Sequence, residues 1–80
     1  MTNIYQTCAI RYLEADQETR NASKKYWREI HAENIKTERF DLCMWSAKHL
    51  CAIEMADMFL ETGDRSGIDA LLAGCSEKIK

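Results

Sequence analysis

What most constrains this chain is what it lacks. Its 80 residues contain no proline and no valine, and the first glycine is Gly63. Proline removes a backbone donor and breaks helices, and glycine inside a helix costs about 1 kcal/mol relative to alanine. Valine is a common strand residue. The first 62 residues lack all three, and the chain carries nine alanines. This pattern predicts an all-α fold.

The expected architecture is a small helical bundle of two long helices plus a short C-terminal helix. It is read as a single helical domain over residues 1–80, with 75–80 as a frayed tail. Thr2 or Asn3 can cap the first helix, because each has a short oxygen-bearing side chain. Ile4/Tyr5, Cys8/Ala9 and Tyr12/Leu13 then recur on one face. The polar stretch from Asp16 to Lys25 admits two readings. Either a turn falls near Thr19–Ser23, with Asn21 or Ser23 as a cap, or one helix runs over residues 3–34 with a weak point near 19–22. Asp16/Arg20, Lys25/Glu29 and Glu33/Lys36 are opposite-charge pairs at helical spacing and favour continuity. Cys8, Tyr12, Ala15, Thr19, Ala22 and Tyr26 step by four and three, close to a heptad seam with a small middle.

A turn is expected at Asn34–Thr37, with Thr37 capping the next helix and Glu38 and Asp41 in its first turn. That helix, from about residue 38 to 61 or 62, is apolar round most of its circumference, with Leu50 taken as core. Such a helix is central to a bundle or covered by another chain. Gly63 suits the left-handed residue that ends it. Ser66 and Asp69 resemble a capping box for a short helix over residues 67–73, ended by Gly74. All three glycines are thus assigned to helix ends.

Composition excludes several classes of function. The net charge is −2. Residues 1–40 hold seven basic and six acidic side chains, and residues 41–80 hold four basic and seven acidic ones. No global charge draws the chain to nucleic acid or to an anionic membrane. No signal peptide and no spanning segment is visible, so the expected location is cytoplasmic, with no membrane partner. Cys8, Cys43, Cys51 and Cys75 are then expected to be reduced, buried, structural thiols.

Zinc sites bring ligands in close pairs, such as two cysteines on one turn. Here the closest pair is His49 and Cys51, which point to opposite sides of a helix. Cys43 and Cys51 lie two turns apart, about 12 Å along the axis. No metal and no cofactor is expected. No serine motif, phosphate-binding loop or dinucleotide-binding glycine pattern is present, so no catalytic residue is assigned and the chain is not expected to be an enzyme.

The remaining signals point to binding. Glu54, Asp57, Glu61 and Asp64 are spaced as a negative ridge on one helix face. The plain reading is a solvated face; the functional one is a surface for a basic partner. Trp45, Met55, Met58 and Phe59 lie on the same helix, where adaptable methionines and aromatics suit either core or interface. The favoured function is a non-enzymatic protein-interaction module that docks on a larger protein or complex. Its candidate contacts are Trp45, Met55, Met58 and Phe59, with Glu54, Asp57 and Glu61 at the rim. Small regulators or inhibitors from phage or mobile elements, anti-CRISPR proteins among them, share this size and class. A homodimer is expected to bury the residual apolar surface. One alternative is a dimeric nucleic-acid-binding regulator using the stripe Arg20, Lys24, Lys25 and Arg28, four charges that give weak, salt-sensitive contacts. Another is a thiol redox or metal-responsive switch.

Overall fold

The computed structural model describes residues 2–73. They form four helices and no strand: α1 (Ile4–Glu14), α2 (Gln17–Lys36), α3 (Phe40–Thr62) and α4 (Ser66–Leu71). The all-α expectation holds, but the first half of the chain divides into two helices. Gly74, Cys75 and the expected frayed tail at 75–80 lie outside the described residues.

α1 begins with a capping box. The Gln6 backbone N–H donates to Asn3 Oδ1 at 2.8 Å, and the Asn3 N–H donates to Gln6 Oε1 at 2.9 Å. Two otherwise orphaned donors are satisfied reciprocally. Gln6 Nε2 also donates to the Leu71 carbonyl at 2.9 Å, tying the start of α1 to the end of α4.

The break falls at Ala15–Asp16, upstream of the expected weak point at residues 19–22. Asp16 is the N-cap of α2, its carboxylate accepting the Thr19 N–H at 2.8 Å. Arg20 does not serve as a simple partner of Asp16. It reaches back across the break, and its Nε and Nη2 donate to the carbonyls of Tyr12 (3.0 Å) and Leu13 (2.9 Å). Helix ends leave carbonyls and N–H groups unsatisfied. Here Asp16 supplies a partner for the start of α2 and Arg20, from within α2, supplies partners for the end of α1, so interruption costs little. Asn21 and Ser23, the alternative caps, sit inside α2.

The turn into α3 also differs from expectation. Thr37 closes α2 instead of opening α3, its N–H and Oγ1 both donating to the Glu33 carbonyl. Glu38 then takes a left-handed conformation (φ 56°). Its N–H donates to the Ile35 carbonyl at 3.1 Å, and the Arg39 N–H donates to the Asn34 carbonyl at 3.0 Å. These two bonds define a Schellman ending, in which glycine is the usual left-handed residue. α3 starts after Arg39 with no side-chain cap.

α3 ends as expected at Gly63 (φ 76°), whose N–H donates to the Phe59 carbonyl at 2.9 Å. The expected Ser66–Asp69 capping box does not form. Asp64 accepts both the N–H (2.9 Å) and the hydroxyl (2.8 Å) of Ser66, and this turn leads directly into α4. Gly67 lies inside α4, not at its end. A Cβ there would stand 3.1 Å from Met55 Cγ, so its bare backbone lets α4 seat against α3.

α1 and α2 both pack on α3 and touch each other little; α4 closes against α3 as well. The core is Ala9 and Tyr12 from α1, Ala52, Ile53 and Ala56 from α3, and Ile68 from α4. Three alanines bring α1 and α3 close, so the core is thin. Leu50 is only half-buried. Among the described residues no helix is long and apolar enough to cross a membrane.

Candidate functional site

Three side chains from three helices meet beside the core. The Tyr12 hydroxyl donates to Asp57 Oδ1 at 2.6 Å, and Lys24 Nζ lies 2.6 Å from Asp57 Oδ2. Burial, then the Asp57 carboxylate, pushes the Tyr12 phenol up to about 12. The hydrogen bond to Asp57 also raises the Lys24 ammonium above its ordinary value. This bridge changes both charged stripes. Asp57 turns toward α1 and α2 and leaves the acidic ridge without its middle. Asp64 is occupied by Ser66, so only Glu54 and Glu61 remain of the ridge as exposed groups on α3. On the basic side, Arg20 and Lys24 are engaged within the fold. Lys25 and Arg28 alone stay exposed, too little charge for useful phosphate binding.

A second cluster surrounds His49, which is 5% exposed. The Trp27 ring stacks on its imidazole at 3.9 Å and 12°. Tyr5 and Trp45 meet it edge-on at 4.9 and 5.2 Å. Nδ1 lies 3.0 Å from the Trp45 carbonyl, which can only accept, so Nδ1 carries the proton. Trp45 is therefore a half-buried member of an aromatic cluster, not a free docking residue. Nearby, Ser46 is fully buried, and its hydroxyl joins His31 Nδ1 (2.7 Å), Asn34 Nδ2 (3.3 Å) and the Leu42 carbonyl (2.9 Å). These bonds lock the α2–α3 hairpin. The serine is inaccessible, so its contact with histidine is structural.

The other expected contacts also divide. Met55 and Phe59 pack partly against the core, and Arg65 lies over the Phe59 ring at 5.1 Å. Met58 is exposed at 50%. Met58, an expected contact, belongs to an outer stripe on α3 whose other members sequence reasoning did not single out as contacts: Phe40 (78% exposed), Met44 (62%), Ala47 and Cys51. The spacing of four, three, four and seven from Phe40 to Met58 keeps them on one face. That face lies about half a turn from Ser46, His49, Ala52, Ile53 and Ala56, which are buried against the bundle. The stripe runs roughly 27 Å along the helix, at 1.5 Å per residue. Glu54 and Glu61 border it toward its C-terminal end. The all-round apolarity of α3 was its only sequence signal.

Cys51 departs from the expectation of buried thiols, because it is exposed within this stripe. Cys8 and Cys43 are half-buried, and burial raises the Cys8 thiol above its ordinary value. Among the described residues no group of three or more His, Cys, Asp or Glu side chains is placed to hold one metal ion.

The seam with a small middle does not close. Ala15, Thr19 and Ser23 leave a hollow of about 190 Å³ between α1 and α2, walled also by Cys8, Arg11 and Trp27. A second hollow of about 330 Å³ shares Cys8, Arg11 and Trp27 and reaches Asn3, Thr7 and His49.

The chain matches no protein-family description, no curated protein and no solved structure. Its chemistry is therefore read from its own geometry.

Proposed function

We propose that this protein is a non-enzymatic interaction module that docks on a larger protein through the outer face of α3, acting as a regulator or inhibitor by occupying a surface there. The observation that carries the reading is the stripe Phe40, Met44, Ala47, Cys51 and Met58, exposed along one helix that the bundle covers only on its other side. Contiguous apolar strips rimmed by charge are characteristic of interaction sites.

The matching partner presents an apolar helix or ridge flanked by lysine or arginine. Glu54 and Glu61 are exposed beside Met58 and form no ion pair among the described residues, whereas Asp57 is already neutralised by Lys24. A second copy of the chain supplies Arg39 and Lys48 near the other end of the stripe, but Glu38 and Asp41 with them, and hence no net positive charge. Stable interfaces bury about 800 Å² per partner. One helix face falls short of that area, so the partner is expected to wrap beyond the stripe.

The test is affinity capture from host extract with the wild type beside a Met44→Asp/Met58→Asp variant, both verified helical by circular dichroism. A partner retained by the first and lost from the second supports the reading. Its retention should weaken with salt and with Glu54→Lys/Glu61→Lys; Asp57 is spared because its replacement would break the bridge to Tyr12 and Lys24. Identical retention by wild type and the methionine variant would remove α3's outer face as the docking surface. Sedimentation of the isolated chain as a dimer that the same variant dissociates would reassign the stripe to self-association.

A further inference from the structure

The hollows between α1 and α2 lie on the opposite side of α3 from the docking stripe, and they contain groups that the fold does not use. His49 is the clearest. Its Nδ1 proton is given to the Trp45 carbonyl, so in the neutral ring Nε2 is an acceptor. Nε2 has no protein partner among the described residues. Among the described residues no buried side-chain nitrogen or oxygen is left without a partner, and an Nε2 with no protein partner therefore meets the space that His49 lines. The space that His49 lines is the larger hollow, of about 330 Å³. Arg11 is the second unused group. It lines both hollows, is exposed, and forms no ion pair among the described residues.

We infer that this cleft is a binding site for an apolar carboxylate that carries one hydrogen-bond donor. Each part of the ligand follows from a part of the wall. A single guanidinium matches one carboxylate in a two-pronged hydrogen-bonded pair, and among the described residues no second cation lines the cleft. Trp27 and Ile4 offer apolar surface for the body of the ligand. His49 Nε2 accepts an O–H or N–H at the inner end. Small-molecule sites are mostly apolar and fixed by a few polar groups; this hollow is a shallow, open one of about 330 Å³ that Asn3 and Thr7 also line. Cys8 lines the wall too, and burial raises its thiol above the ordinary value, so it is expected to alkylate slowly.

The probe is 4-hydroxyphenylacetate, with its uncharged amide as the control. The expected result is a saturable shift of the His49 Nε2 resonance in nitrogen-15 spectra. Bound probe should also slow alkylation of Cys8, while exposed Cys51 reacts at an unchanged rate as an internal reference. Arg11→Gln, a surface change that leaves the core untouched, should weaken binding tenfold or more, and the amide should bind the wild type no better than the acid binds that variant. No saturable shift up to ~10 mM, a concentration that fills even a millimolar site, would overturn the inference. Equal binding by wild type and Arg11→Gln would overturn it too.

Discussion

Glu38 holds a left-handed backbone at the one place in the α2–α3 turn where glycine is the natural choice. A side chain with a Cβ costs about 1–2 kcal/mol in that region. Glu38→Gly is therefore expected to stabilise the fold by about 0.5–1 kcal/mol, after the greater freedom of glycine in the unfolded chain is subtracted. The reading is a higher urea midpoint at an unchanged slope. Gly63 is the mirror case. Nothing stands within 4 Å of a Cβ built there, so Gly63→Ala meets no clash and should cost about 0.5–1 kcal/mol, the backbone strain less the unfolded-chain freedom that alanine removes. Equal stability of Gly63→Ala and wild type would show that α3 ends for some other reason.

At the scale of the helices, α1 is held to α3 by packing and by one hydrogen-bonded bridge, Tyr12–Asp57–Lys24. Its pH dependence has a definite sign. The Tyr12 phenol titrates near 10 when unfolded and is pushed up to about 12 in the fold. The protonated form is the one that the fold favours. Its contribution is complete below about pH 10 and is lost as pH rises toward about 12. Wild type should thus lose stability across that window, and Tyr12→Phe should show a flatter curve there. At neutral pH the variant should be about 1 kcal/mol less stable, the net worth of a typical hydrogen bond. Denaturation midpoints at several alkaline pH values decide this, and parallel curves for the two proteins would contradict it.

Helix content was legible in the sequence because the missing residue types act locally. The helix ends were less so. Asp16, Thr19, Asn21, Ser23 and Thr37 can all cap, and local composition does not rank them. Arg20's reach back to Tyr12 and Leu13 and the left-handed Glu38 make the choice, and neither follows from spacing alone. The same limit applied to the site. An apolar α3 was visible, but which of its faces meets solvent depends on where α1 and α2 pack. The Tyr12–Asp57 bond joins residues 45 apart in sequence, so no periodicity could have withdrawn Asp57 from its apparent ridge.

For the whole molecule, the thin core sets the margin. An 80-residue domain has roughly 4–12 kcal/mol of stability at about 0.05–0.15 kcal/mol per residue. Ile53 is 2% exposed and is among the largest fully buried side chains. Ile53→Ala should cost about 2–5 kcal/mol, through lost burial and the cavity left behind. That is a large share of the total, and the expected outcome is a melting temperature lowered by well over ten degrees, or a partly unfolded protein at room temperature. Met44→Asp, on the exposed face of the same helix, should melt within a few degrees of wild type. Thermal melts by circular dichroism compare the two directly, and a well-folded, heat-resistant Ile53→Ala protein would relocate the core.

The seat of α4 on Met55 carries a chemical vulnerability. Met55 Cγ and Cβ stand so close to Gly67 that a Cβ there would meet them at 3.1 and 3.3 Å, and Met55 packs partly against the core, so oxidation to the polar sulfoxide would disturb the α3–α4 contact. Met44 and Met58 face solvent and can take up the same oxygen without disturbing the bundle. Mild peroxide should therefore oxidise the outer face of α3 first and unseat the C-terminal helix only later, so loss of the proposed docking would precede damage to the fold.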